Sequence, residues 1–130
     1  MYNKESAEKI LNNLRTKFRC LNQVYDLTGE MDDALCSGDR QTLDIILDMR
    51  QKQLEVCKSM DDQNDELVKD YPEPEKAHME GLLHTAESYS TPEDELEEQL
   101  LKLTKRIRAL HMKTIDFDRK ITDKIKNNKR

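Results

Sequence analysis

The stretch 91–130 carries the sequence feature that most constrains what this chain can fold into. Seven apolar residues and one threonine recur there at spacings of 4, 3, 4, 3, 4, 3 and 4, and they are Leu96, Leu100, Leu103, Ile107, Leu110, Thr114, Phe117 and Ile121. A repeat every 3.5 residues keeps one narrow stripe on one side of an α-helix. Such a stripe must be buried, either against the rest of the chain or against another protein.

A second seam with the same repeat occupies the start of the chain. It consists of Ala7, Leu11, Leu14, Phe18, Leu21, Tyr25 and Thr28. The pattern predicts a helix over about 5–36, with Gly29 as a weak point, because a glycine inside a helix costs about 1 kcal/mol relative to alanine. Two helices with matching seams can pack along each other, so the C-terminal helix has a candidate partner within the chain.

A short turn follows the first helix. Gly38 can take the positive φ that ends a helix, and Ser37 or Asp39 can cap the next helix by accepting a backbone N–H. So short a connection predicts a second helix, over about 40–69, that is adjacent and antiparallel to the first. The apolar face of this helix includes Leu47, Met49 and Val56. After Met60 its pattern becomes polar, which predicts an end that projects or frays.

Pro72 and Pro74 forbid a continued helix beyond the second one. A short third helix is predicted over about 75–87, followed by a polar connector. The fourth helix is predicted over about 92–126, because Thr91 suits an N-cap and Pro92 suits the first helical position.

The composition fits long helices that each bury a stripe. Hydrophobic residues make up only 35% of the chain and charged residues 38%, with three glycines and three prolines. We therefore predict an all-α fold, an elongated antiparallel helical bundle of three long helices with a short extra helix. We expect it to form a single domain, residues 1–130.

The charge is distributed very unevenly along the chain. Residues 1–101 hold 11 Lys/Arg and 24 Asp/Glu, whereas residues 102–130 hold 11 Lys/Arg and 3 Asp/Glu. One interpretation is a basic helix packed against acidic neighbours. The other is a basic tail that touches nucleic acid or an anionic membrane. The overall acidity and the lack of interleaved aromatic residues disfavour nucleic acid, and no apolar run is long enough for membrane insertion.

The sequence contains no pattern typical of a catalytic or metal site. The histidines at 78 and 84 are six apart and do not share a helical face, and no Cys-x-x-Cys pair is present. No nucleophile motif and no glycine-rich phosphate loop occur. We expect no enzymatic activity, no cofactor and no metal, and we expect the cysteines at 20, 36 and 57 to be free thiols of a cytoplasmic protein.

Two groups of residues allow alternatives. Five methionines fall on or near apolar faces, where they either fill core gaps or form an adaptable surface for helical ligands; they are Met31, Met49, Met60, Met79 and Met112. Arg50 lies near the apolar stripe of its helix. Its stem can lie along apolar surface, which we favour, or its guanidinium can pair with a facing carboxylate.

The first hairpin also carries a family resemblance. A helix ending in Ala34-Leu35 leads through Gly38-Asp39 into a helix with the pattern Leu-x-x-Ile-Leu-x-x-Arg-Gln-x-x-Leu over 43–54. This resembles the flagellar type III export chaperone family, of the FlgN and FliT kind. The layout of a first hairpin followed by a long C-terminal helix, in a slightly acidic chain of 130 residues, is similar as well.

The resemblance implies a cytosolic, non-enzymatic chaperone. It would bind a terminal helical segment of a hook-associated or filament-cap protein, keep it soluble, and pass it to the export apparatus. An amphipathic client segment would lay its apolar face in a groove between helices. By region, the family implicates the C-terminal helix in client binding or in covering the client site, and the corresponding residues here are Leu100, Leu103, Ile107, Leu110, Phe117 and Ile121.

The alternative is a structural or regulatory bundle protein without a client. Such a protein would homodimerise through the C-terminal helix, along the seam at 96–121. The seam divides in composition, since its first half is wholly apolar and its second half includes Thr114. We expect Leu96 to Leu110 to dock on the first hairpin. The second half is then the better candidate to extend past the bundle, to exchange between protomers, or to receive a client.

Overall fold

A computed structural model describes residues 4–86 and 88–128 of the chain. Four helices account for most of them, and they are α1 (Lys4–Ser37), α2 (Arg40–Lys69), α3 (Glu75–Leu82) and α4 (Glu95–Asn128). The predicted all-α fold with three long helices and one short helix is confirmed.

The first helix is the centre of the structure. α1 packs against both α2 and α4, whereas within the described ranges no Cα atom of α2 lies within 8 Å of one in α4. α1 therefore buries two sides. Besides the predicted seam it buries a second set of apolar side chains, which are Ile10, Cys20, Val24, Leu27, Met31 and Ala34.

Polar pairs show how α2 lies along α1. Lys17 Nζ lies 2.7 Å from Asp61 Oδ1, and further along α1 the Thr28 hydroxyl oxygen accepts a hydrogen bond from Arg50 Nε at 3.1 Å. Later residues of α1 thus meet earlier residues of α2.

The contacts between α1 and α4 run in the same direction along both helices, unlike those between α1 and α2. Arg15 Nη2 donates to Gln99 Oε1 at 3.2 Å, and Lys124 Nζ lies 3.1 Å from Asp32 Oδ2 near the other ends of both helices. Later residues of α1 meet later residues of α4. The connection between α2 and α4, which includes α3, returns the chain to the beginning of α1.

The polar end of α2 stays packed on α1, so the prediction that it projects or frays is wrong. Asn64 and Val68 are buried, and Asn13 Nδ2 donates to Asn64 Oδ1 at 2.9 Å. The sequence pattern treated Asn64 as part of a polar run, but its carbonyl oxygen accepts a hydrogen bond within the interface, which lets this polar side chain be buried.

The turn before α2 agrees with the sequence. Gly38 has a φ of 72°, and the Asp39 carboxylate accepts a hydrogen bond from the Thr42 backbone N–H at 3.0 Å. Hydrogen bonds from the Thr42 hydroxyl and N–H also lower the pKa of Asp39.

The start of α4 differs from the prediction. The helix begins at Glu95, and Asp94 caps it by accepting from the Glu97 backbone N–H at 2.8 Å. Thr91 and Pro92 therefore precede the helix. Aspartate and threonine both cap helices. Here the Glu97 carboxylate also accepts a hydrogen bond from the Glu93 N–H at 3.1 Å. A helix that began at Thr91 would lose this reciprocal bond.

One arginine joins all three long helices. Arg50 of α2 donates through Nε to Thr28 of α1 and through Nη2 to Asp118 of α4, the latter at 2.6 Å. The Arg50 side chain is 18% exposed. The guanidinium therefore pairs with a facing carboxylate, which corrects the interpretation that we favoured from the sequence.

We expect the Arg50–Asp118 pair to couple α2 to α4 energetically. Arg50→Met keeps the apolar stem and removes the charge, and Asp118→Ala removes the partner. Each change should lower the free energy of unfolding by about 1–2 kcal/mol, because the guanidinium is mostly shielded from water. Urea denaturation of both single variants and the double variant gives the coupling energy.

The exposed pair Asp48 and Lys52 within α2 is the matched control for this cycle. Its atoms lie 3.1 Å apart but both side chains are largely exposed, so its coupling should be about 0.3–0.5 kcal/mol. A coupling energy at Arg50–Asp118 no larger than this control would show that the bridge does not hold α2 to α4.

Among residues 4–86 and 88–128, no helix combines the length and the apolar composition that a bilayer crossing requires.

Candidate functional site

The six residues predicted to bind a partner face the chain's own core. Four of them are buried, namely Leu100, Leu103, Ile107 and Ile121, and the remaining two, Leu110 and Phe117, are partly buried. The Phe117 ring meets Tyr25 of α1 edge-on, with 5.6 Å between ring centroids. Both halves of the seam dock on α1, so the seam is not an open groove.

The exposed apolar surface lies on α2 instead. Ile45, Met49 and Val56 are 57%, 47% and 36% exposed. Their spacings of 4 and 7 place all three on one side of the helix. We call these three residues the α2 stripe. The sequence assigned Met49 and Val56 to the buried face, and it could not show that α4 leaves this side of α2 uncovered.

Acidic side chains follow one edge of the α2 stripe. Helical geometry places Asp44, Asp48 and Glu55 on the same flank. The one basic residue nearby, Lys52, already pairs with Asp48 at 3.1 Å. A helix that docks on the stripe would therefore match it best with apolar anchors and with basic residues along one edge.

A second exposed surface begins where α3 ends. The helix stops at Leu82, not at the predicted Glu87, which lies outside the described residues. Two backbone hydrogen bonds close its end. The His84 N–H donates to the Gly81 carbonyl oxygen at 3.3 Å, and the Thr85 N–H donates to the Glu80 carbonyl oxygen at 2.9 Å. This is the Schellman arrangement, in which glycine usually takes the left-handed position. Here His84 occupies it, with a φ of 56°.

The segment after His84 folds back over α3 and against α4. A hypothetical Cβ on Gly81 would lie 2.9 Å from the backbone nitrogen of Ser90. The two segments of the chain are therefore in contact, without room for a side chain at Gly81. The fold-back leaves a cleft of about 650 Å³ beside α4, which we call the α3–α4 cleft; its lining includes His84, Tyr89, Pro92, Leu101, Lys105 and Arg108.

One polar cluster links α3 to the start of α4. The side chains of His78, Glu93 and Glu97 place candidate ligand atoms within 4.8 Å of one another, a spacing that one metal ion could bridge. Glu97 is 1% exposed, yet its Oε1 lies 2.5 Å from His78 Nε2 and accepts from the Glu93 N–H. Protein partners thus account for this buried carboxylate, and the positive end of the α4 dipole disfavours a cation there. The sequence missed the cluster because α3 and α4 meet only in the fold.

The methionines and cysteines divide between core and surface. Met31 and Met79 are buried, whereas Met49 and Met112 are exposed. Cys20, Cys36 and Cys57 are free thiols, as predicted, and Cys36 is the exposed one. Burial raises the pKa of Cys57 to about 11, which keeps that thiol protonated at neutral pH.

Comparisons of the chain with protein-family models, with curated proteins and with solved structures found no match.

Proposed function

We propose that this protein is a non-enzymatic chaperone that binds an amphipathic helical segment of another protein. The observation that carries the proposal is the α2 stripe, where large apolar side chains stay exposed on one side of a helix. Exposed apolar side chains grouped on one face are typical of protein-binding surfaces. Met49 at the middle of the stripe suits this role, because a flexible thioether adapts to different partners.

The resemblance at the first hairpin supplies the class of client. The stretch 43–54 that carries it includes Ile45 and Met49 of the stripe. On this basis the client is a flagellar hook-associated or filament-cap protein, the protein acts in the cytoplasm, and the export apparatus is the second partner. A client segment that folds as it binds loses conformational entropy, which lowers its affinity and favours later release.

We infer a finer arrangement of the fold that fits this role. The order of contacts supports an antiparallel hairpin of α1 and α2, with α4 lying along α1 in the direction of α1. All four helices then belong to one domain. In this arrangement α4 covers α1 and leaves the outer side of α2 free for the client.

The seam residues take a supporting role in this proposal. Leu100, Leu103 and Ile107 hold α4 on α1 and so maintain the shape of the bundle. A homodimer closed along the same seam is less favourable, because α4 would first have to leave α1 and expose those side chains.

Calorimetry with synthetic client segments tests the proposal. Peptides from the C-terminal ends of hook-associated and cap proteins are titrated into the protein, into Ile45→Ser/Met49→Ser, and into Ile125→Ser as a control. Ile125 is 39% exposed but lies on α4, away from the stripe. We expect binding by the parent protein, affinity reduced by about 10-fold or more in the double variant because two apolar anchors are lost, and little change in the control.

The two ways in which this test can fail are distinct. Absence of binding by any client segment would overturn the proposed function. Binding that is unchanged in Ile45→Ser/Met49→Ser would leave the chaperone function standing and move the client to another surface.

A further inference from the structure

A second, chemically different surface lies on α4. Leu101, Lys105, Arg108, Ala109 and Met112 recur at helical spacing on the side turned away from the buried seam. We call these five residues the α4 outer face. At 1.5 Å per residue the face is about 16 Å long, and its beginning opens into the α3–α4 cleft. It combines half-buried Leu101 at one end with Met112, which is 54% exposed, at the other.

Two basic side chains, Lys105 and Arg108, lie on this face. Arg108 Nη2 donates to the backbone oxygen of His84 at 3.2 Å, and neither Lys105 nor Arg108 forms an ion pair with any residue that the structure describes. Some other cations of α4 are engaged, since Lys124 pairs with Asp32 and Lys113 lies over the Tyr25 ring. In an acidic chain, two neighbouring cations that form no ion pair with the described residues and lie beside apolar side chains can receive an external anion.

The His84 imidazole adds polar capacity at the same place. Both of its ring nitrogens are shielded from water and have no hydrogen-bond partner among residues 4–86 and 88–128. The ring packs against Tyr89, with centroids 4.3 Å apart. A neutral imidazole presents one donor and one acceptor, and leaving both unpaired in a shielded position costs free energy.

The backbone of His84 points to the same conclusion. A residue other than glycine at positive φ stores backbone strain and persists where the surrounding structure holds it. Nothing in the end of α3 requires histidine there, since glycine satisfies the same two hydrogen bonds without strain. The strained position therefore indicates a role for the histidine side chain itself.

We propose that the α4 outer face and the adjoining cleft are a docking site for an acidic amphipathic helix of a partner protein. One carboxylate of that helix is received by Lys105 and Arg108 beside the His84 ring, and its apolar side chains rest on Leu101 and Met112. Charge complementarity selects this occupant. The α2 stripe is flanked by acids and selects a basic helix, so the two surfaces recognise different partners, and this site does not depend on the chaperone proposal.

Binding at this site should strengthen as the pH falls towards 6. In the free protein, burial and the neighbouring cations Arg108 and Lys105 lower the pKa of His84. Among the described residues, these cations and Tyr89 are the titratable or charged groups that face its ring. A bound carboxylate opposes the effect of the cations and raises that pKa. The bound state then holds more protons than the free state near the ordinary histidine pKa of about 6.5, so protonation and binding favour each other.

A designed peptide tests the site without knowledge of the natural partner. The probe is acetyl-(Leu-Glu-Glu-Leu)₃-amide, which places leucines on one helical face and glutamates on the other, and the comparison peptide carries glutamine for glutamate. Binding is measured by calorimetry, and the His84 ring proton is followed by NMR. We expect the acidic peptide to bind about 10-fold more tightly than the glutamine peptide or better, and to shift the His84 signal.

Matched variants assign the binding to this face. Lys105→Gln/Arg108→Gln should weaken the acidic peptide by about 10-fold or more, whereas Lys120→Gln/Lys126→Gln removes the same charge from the same helix and should change little. His84→Asn, which tolerates positive φ, should abolish the strengthening at low pH. Equal binding of both peptides would overturn the proposal. So would an equal loss of affinity in Lys105→Gln/Arg108→Gln and Lys120→Gln/Lys126→Gln.

A second copy of the chain is the competing occupant, because its α2 stripe is apolar and is flanked by acidic side chains. Sedimentation velocity of the protein alone decides this. Self-association that Lys105→Gln/Arg108→Gln abolishes would overturn the assignment to a different partner protein. A monomer that still binds the acidic peptide supports it.

Discussion

Leu100→Ala is expected to lower the free energy of unfolding by about 2–5 kcal/mol. The Leu100 side chain is fully buried in a cluster that includes α1 as far as Val24, the first half of α4, the second half of α2, and α3. Truncation to alanine removes apolar contacts and leaves a cavity that rigid helices cannot close. In a chain of this size the loss is a large part of the total stability, which is about 5–15 kcal/mol for single domains.

Met112→Ala is the matched control on the same helix. Met112 is 54% exposed, so its truncation should change the free energy of unfolding by less than about 0.5 kcal/mol. Chemical denaturation followed by circular dichroism gives both values. If the two variants lost stability equally, the seam of α4 would not be a core element of this chain, and its role as a partner-binding surface would return.

Gly81→Ala is expected to destabilise the protein by about 1–2 kcal/mol, although alanine is the better helix former. The added Cβ would lie 2.0 Å from Ser90 Oγ and 2.9 Å from the Ser90 backbone nitrogen. A serine hydroxyl can rotate away, but the backbone can move only if the segment after α3 lifts off. We therefore expect the substitution to disturb the α3–α4 cleft as well, which the NMR signal of His84 would report.

Gly29→Ala is expected to have the opposite effect on stability to Gly81→Ala. A Cβ there would meet only the Phe117 ring, at 3.8 Å, which is ordinary van der Waals contact. The helix propensity then acts alone and should stabilise the protein by up to about 1 kcal/mol. Thermal or urea denaturation of both variants gives the comparison. Stabilisation by both substitutions would mean that the segment at Ser90 does not rest on α3.

The long helices could be predicted from the sequence because a 3.5-residue repeat is a local property. The ends of α2 were equally accessible, since Gly38, Asp39 and the two prolines act through their own backbone chemistry. The end of α3 could not be predicted. It depends on His84 in a left-handed conformation, and the usual sequence signal at that position is glycine.

The surfaces were less predictable than the helices, for a physical reason. Periodicity shows which residues share a face but not which face another helix covers. Met49 and Leu100 both belong to apolar patterns, yet Met49 is 47% exposed and Leu100 is fully buried. That difference arises because α4 packs along α1, whereas among the described residues no Cα atom of α2 lies within 8 Å of one in α4. The sequence held one signal for the second surface. Lys105, Arg108, Leu101 and Met112 share the face of α4 that is opposite the seam.

The central position of α1 also sets the order in which this protein can assemble on the ribosome. The α1–α2 hairpin is complete once Lys69 has emerged, but the side of α1 that α4 covers stays bare until the chain reaches about Asn128. At 5–20 residues per second, that interval lasts roughly 3–12 s. During those seconds a nascent hairpin offers an apolar helix face to its surroundings. Neighbouring ribosomes on one message supply the same helices at high local concentration, so slow translation between α2 and α4 favours exchange of α4 between copies.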